Sequence, residues 1–166
     1  MQNNMRILGI DPGYDRLGIA FVDKDKKEKV IYSECFETSS KEIFHNRLRD
    51  LGNRIKVMIK KYSPDIMAIE SLFITKNQKT AMKVSEARGI IIYEAVCKDI
   101  PVYEYTPLQV KVAITGNGKS DKIQILKMLP LLVKLPNKKT KDDEYDAIAI
   151  ALTCIAHEGK SFPQMK

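Results

Sequence analysis

Three short apolar blocks open the chain, at residues 5–10 (MRILGI), 17–23 (LGIAFVD) and 29–36 (KVIYSECF), and they are separated by residues 11–16 and by the charged stretch 24–28. Blocks of this length, bounded by Asp, Pro, Gly or clustered charge, read as strands, and their short joints make them a meander. Between 41 and 62 the period changes. Phe44, Leu48, Leu51, Ile55, Met58 and Tyr62 recur at steps of four and three, which predicts one apolar helix face, with Ser40 placed to cap it. After Pro64, residues 65–70 (DIMAIE) form a compact apolar run suited to a buried strand.

A long helix is predicted over residues 76–97. Its apolar residues lie on more than one side (Ala81, Val84, Ile91 and Ala95; Met82, Ile92 and Val96), so it is either deeply interior or packed on a second subunit. A strand at 102–105 and a short helix opened by Pro107 follow. The run Gly116-Asn117-Gly118 then breaks the chain before a helix from Ser120, which Pro130 should end or kink. A last helix covers 142–157. The order predicts an α/β fold built on a mixed sheet, a meander extended by later parallel strands. With no internal repeat and no Pro/Ser-rich linker, residues 1–166 read as one domain.

Composition narrows the class of protein. The chain is 44% hydrophobic and 30% charged, and no apolar stretch approaches the roughly 20 residues that span a bilayer. The N-terminal segment lacks a basic region and a small-residue cleavage site, so a cytoplasmic location is expected. Cys35, Cys97 and Cys154 lie in apolar runs without CxxC spacing and read as buried reduced thiols. With only two histidines and no Cys/His ligand spacing, a zinc cage is not expected, and any metal should take oxygen ligands. The net charge of +7 suits a polyanionic partner, although solvated lysines alone would give the same balance.

Four carboxylates stand out. Asp11 and Glu70 each close an apolar strand at its C-terminal end, where sites of open α/β sheets form. Asp143 and Asp146, in "KDDEYDAIAIALTCIAH", are spaced to share a helix face, whereas Asp142 and Glu144 point elsewhere. If the four converge, their mutual repulsion calls for a divalent cation, and hard oxygen ligands favour Mg²⁺ or Mn²⁺. Two such ions about 4 Å apart activate a water and stabilise a leaving oxygen in phosphodiester hydrolysis. Each acid also has a plainer reading. Asp11-Pro12-Gly13 is an ordinary turn, Glu70 could end its strand with a salt bridge, and Thr140 to Asp143 fits a capping box. Asp146 is the hardest to explain that way, because an unpaired carboxylate beside an apolar stretch is costly.

The segments "GIDPGYDRLGIAFV", "IAIESLFITKN", "EARGI", "YTPLQVKVAITGNGKSDK" and "DEYDAIAIALTCIAH" resemble, in order and spacing, the RuvC-type Holliday-junction resolvases over residues 5–157. The resemblance implies an RNase H-like fold, with a mixed five-stranded sheet flanked by helices. It also implies a homodimer that nicks four-way junction DNA symmetrically, with Mg²⁺ as cofactor, two ions per subunit, and Mn²⁺ as a substitute. The family's acidic quartet falls on Asp11, Glu70, Asp143 and Asp146; some members carry His at the third acid. The aromatic that stacks near the crossover falls on Phe73, and stacking of this kind tolerates any base. The basic residues beside the scissile phosphate fall on Lys111 and Lys122, while Lys76 adds a basic edge and Lys119 stays open between DNA contact and solvation. Lys79 and Lys83 read as a solvated face. The branch-migration proteins RuvA and RuvB are implied partners.

Three alternatives remain at this point. One is another RNase H-like nuclease, acting on RNA or an RNA–DNA hybrid. Another is a non-catalytic junction-binding protein. The last is a kinase-like nucleotide binder, for which 166 residues hold only one of the two halves required.

Overall fold

The apolar blocks form five strands, β1 (Met5–Asp11), β2 (Arg16–Lys24), β3 (Lys29–Glu37), β4 (Ile66–Glu70) and β5 (Val102–Tyr105). The structure, a computed structural model, describes residues 5–24, 26–72 and 78–157. Phe73 and Lys76 lie outside the described residues. The sheet order is β3-β2-β1-β4-β5, with β1 to β3 antiparallel and β4 and β5 joined parallel to β1. This is the mixed five-stranded sheet that the element order predicts. Five helices complete the chain: α1 (Phe44–Tyr62), α2 (Gln78–Val96), α3 (Pro107–Thr115), α4 (Lys122–Leu132) and α5 (Asp142–His157).

Side chains of a strand alternate between its two faces, and this parity assigns the helices. Leu8, Ile10, Met67 and Ile69 pack with Leu51 and Ile55 of α1 and Ala87 and Ile91 of α2. Ile7, Val22, Ile66 and Ala68 face the other way, into a core with α5, α3 and α4. Burying each large aliphatic side chain contributes about 1.5–3 kcal/mol, so both faces are committed to their helices. Asp11 and Glu70 continue the second set. They follow the paired residues Ile10 and Ile69 on adjacent parallel strands, so they emerge side by side on the α5 face.

Glycines let α5 lie close to that face. A Cβ at Gly9 would stand 2.1 Å from the Ala147 carbonyl oxygen, and one at Gly18 2.1 Å from that of Asp143. Only a missing side chain permits such backbone approach. The acids of α5 are thereby brought over the end of β1.

Several expectations change in the structure. Helix α1 starts at Phe44, not near 41, with Ile43 at the cap position and no side-chain cap. Ser39 and Ser40 belong instead to a turn in which the Ser39 hydroxyl accepts the Lys41 N–H. Pro130 sits inside α4, which continues to Leu132 before ending. Helix α2 is not deeply interior: it buries Ala87, Ile91 and Ala95, while Met82 and Tyr93 are 66% and 64% exposed. Cys154 is buried as expected, but Cys35 is half-buried and Cys97 is exposed. Lys83 is not merely solvated, because its ammonium lies over the rings of Tyr14 and Phe44.

Candidate active site

A pocket of about 270 Å³ opens where the C-terminal ends of β1 and β4 meet α3, α4 and α5. Asp11, Glu70 and Asp146 line it together with Lys111 and Lys122, and Pro107, Val110, Ile125, Ala149 and Ile150 form its apolar wall. Each polar group is placed by a local device. Asp11 and Glu70 follow from strand parity, and the Arg88 Nε–H donates to the Glu70 carbonyl at 3.0 Å while Arg88 Nη2 approaches Glu104 at 2.6 Å. Thr106 and Gln109 cap α3 reciprocally, with Pro107 in the first turn, and this fixes Lys111 on the pocket side. Asp121 and Gln124 cap α4 in the same way, directly before Lys122.

Asp143 does not line the pocket. It turns to the flank, 3.6 Å from Arg16 Nε, and accepts a long contact of 3.6 Å from the Cys35 thiol. Nor does it cap its helix. The residue that reaches back is Glu144, whose Oε1 accepts the Lys141 N–H at 3.1 Å, while Thr140 bonds to the Lys138 carbonyl. The capping expectation is thus shifted by one residue, and Asp143 is left for the site's edge. Lys119 is exposed and stands outside the pocket, and its backbone N–H donates to Asn117 Oδ1 at 3.0 Å.

The electrostatics show the strain of gathering acids. Burial, then the charges of Asp146, Glu70 and Asp143, push the Asp11 carboxyl from 3.8 up to about 7. Burial and Asp146 likewise raise Glu70. Burial raises Asp146 too, against the opposing contact with Lys122, whose Nζ is 3.0 Å from Asp146 Oδ2 and 3.4 Å from Asp142 Oδ2. Asp142 therefore points toward the site's rim, contrary to the sequence reading. The donor chemistry fits a hard divalent cation. As they stand, no three His, Cys, Asp or Glu side chains among the described residues gather closely enough to hold one ion.

The sequence model of the family "Crossover junction endodeoxyribonuclease RuvC" matches residues 7–154. The chain belongs to the RuvC family. The family's protein from Thermosipho melanesiensis is 44% identical over 155 residues, covering 93% of this chain and 98% of its own length. The protein from Alkaliphilus metalliredigens is 44% identical over 156 residues, covering 93% and 94%. Among solved structures, T. thermophilus RuvC in complex with Holliday junction substrate superimposes with a TM-score of 0.86 at 30% identity, over 92% of this chain and 94% of that one. The yeast mitochondrial Holliday junction resolvase Ydc2, at 14% identity and a TM-score of 0.70, shares the fold. The fold is RNase H-like.

Sequence reasoning missed Glu144, the brace under the site. It is 4% exposed and accepts hydrogen bonds from the Ser33 hydroxyl and the Lys138 ammonium, both at 2.6 Å. Burial pushes its carboxyl up, but the bonds from Lys138, Ser33 and the Lys141 N–H outweigh this and hold it below the usual range. The available signal was its spacing, three residues after Lys141, the second half of a capping box. Glu144→Ala should destabilise the protein by about 1–3 kcal/mol, read by urea unfolding, because Lys138 and Ser33 lose a buried partner. Since the folded carboxyl is held low, that contribution is present above about pH 4.5 and fades as the pH falls through the folded value, so wild type and variant should converge in acid.

Proposed function

We propose that this chain is a metal-dependent endonuclease that resolves four-way DNA junctions by paired, symmetric nicks, as a homodimer. The observation that carries the reading is that Asp11, Glu70 and Asp146 share one pocket with Lys111 and Lys122. Acids beside lysines suit a phosphodiester: the acids supply hard oxygen, and the lysines neutralise the phosphate without reading sequence. Asp11, Glu70, Asp146 and, from the flank, Asp143 would hold the metal, with Mg²⁺ favoured, two ions per subunit, and Mn²⁺ able to substitute. When bound, such ions lower the pKa of a water and stabilise the leaving oxygen. Lys111 and Lys122 orient the scissile phosphate against the apolar wall of Val110, Ile125 and Ile150.

The relatives' name, crossover junction endodeoxyribonuclease, and the Holliday junction bound by the T. thermophilus protein support junction DNA as substrate. A pure binder would gain nothing from clustered acids beside its anionic ligand. The exposed α2 residues Met82, Tyr93 and Val96 support a two-fold dimer, which would set two sites on two equivalent strands. RuvA and RuvB are proposed as partners, Phe73 and Lys76 as further DNA contacts, and Lys119 as a peripheral one. No described helix is long and apolar enough to cross a membrane, and we place the reaction in the cytoplasm.

The test is Asp146→Asn. Cleavage of a labelled junction should fall by about 10²-fold or more, with junction affinity kept within a few-fold. An equal loss of binding and cleavage would make Asp146 a structural residue and sink the reading.

A further inference from the structure

We propose that Lys122 is a tethered counter-cation that competes with the divalent ion for Asp146, and that Asp142 is the partner it keeps when it gives way. This rests on the reading that the carboxylates hold metal. One ammonium reaches both acids, at 3.0 Å to Asp146 and 3.4 Å to Asp142. The two acids are four residues apart on α5 and therefore share a face. Asp142 is 71% exposed and lies outside the pocket, so it is placed to hold the lysine at the rim and not to reach the inner acids. Lys122 is also the first residue of α4, where a cation opposes the helix dipole. The helix gains nothing from a lysine there; the two carboxylates account for its position.

An ion entering at Asp146 meets the Lys122 charge and must displace it. The lysine then pivots onto Asp142 and remains at the pocket mouth, where a phosphate would arrive. Asp142 is thus a positioning residue that acts through Lys122.

The experiment measures Mn²⁺ binding by electron paramagnetic resonance on the full chain without DNA. Wild type, Lys122→Met, Asp142→Asn, the double variant and Asp11→Asn are compared, with melting curves confirming that each is folded. Lys122→Met should tighten Mn²⁺ binding roughly fivefold, and Asp142→Asn should weaken it roughly threefold. In the Lys122→Met background, Asp142→Asn should have no further effect, because the lysine through which it acts is gone. Independent, multiplying effects would mean simple long-range charge and would overturn the proposal, as would unchanged affinity in Lys122→Met. Wild-type Mn²⁺ binding in Asp11→Asn would instead overturn the metal reading itself, and the proposal with it.

Discussion

Asp11→Asn should abolish junction cleavage, by about 10³-fold or more, and yet give a protein that melts at a higher temperature than wild type. The two effects share one cause. The Asp11 carboxyl is pushed from 3.8 to about 7 by burial and by Asp146, Glu70 and Asp143, so its ionised form is held against its own free energy. Relaxation of the site reduces the cost, which we set at about 1–3 kcal/mol. For a chain of this size that is a rise in Tm of about 2–12 °C. The sign follows from the raised value. The cost is absent below pH 4, where the acid is protonated in both folded and unfolded states, and it is complete above about pH 7. The advantage of the variant should therefore grow as the pH rises from 4 to 7. Mg²⁺ should raise the Tm of wild type more than that of the variant. A variant that cleaves normally would return Asp11 to the role of a turn former.

The second large effect is expected at Gly18. A Cβ there meets the Asp143 carbonyl oxygen at 2.1 Å, its carbonyl carbon at 2.8 Å and Asp11 Cβ at 3.0 Å. Two of these three atoms are backbone, so no rotamer change relieves the clash, and the first turn of α5 must move away from the sheet. Gly18→Ala should cost about 1–3 kcal/mol in denaturant unfolding. Cleavage should fall about 10²-fold even where the protein is fully folded, because the acids of α5 leave their places opposite Asp11. Wild-type cleavage by a folded Gly18→Ala protein would show that the docking of α5 does not set the site.

The sheet was legible because each of its strands is an apolar block with a marked end. The ends of residues 5–10 and 65–70 marked Asp11 and Glu70 as acids that would meet if their strands were neighbours, and the parallel pairing of β1 with β4 supplies that condition. Asp146 was legible as an acid set in an apolar helix face. What escaped the sequence lies in long-range contacts that no local period encodes. Arg88 reaches Glu70 from α2, Ser33 reaches Glu144 from β3, and Lys122 reaches Asp146 from α4. The capping pattern at 140–143 misled for a local reason. Glu144 accepts the Lys141 N–H and so makes the back-reaching half of a cap one residue later, which leaves Asp143 directed toward Arg16 and Cys35. The start of α1 was misplaced as well: Ser40 lies in a turn ahead of the helix, and Ile43, which has no capping side chain, takes the cap position.

The measurement that bears most directly on the account is cleavage by the wild-type chain of end-labelled four-way junction, linear duplex and RNA–DNA hybrid, each with Mg²⁺ or with EDTA. Paired nicks are expected on strands of like polarity, at the junction alone, dependent on Mg²⁺ and absent in Glu70→Gln. Cutting of the hybrid or the linear duplex at a comparable rate, or cutting that persists in EDTA, would contradict it.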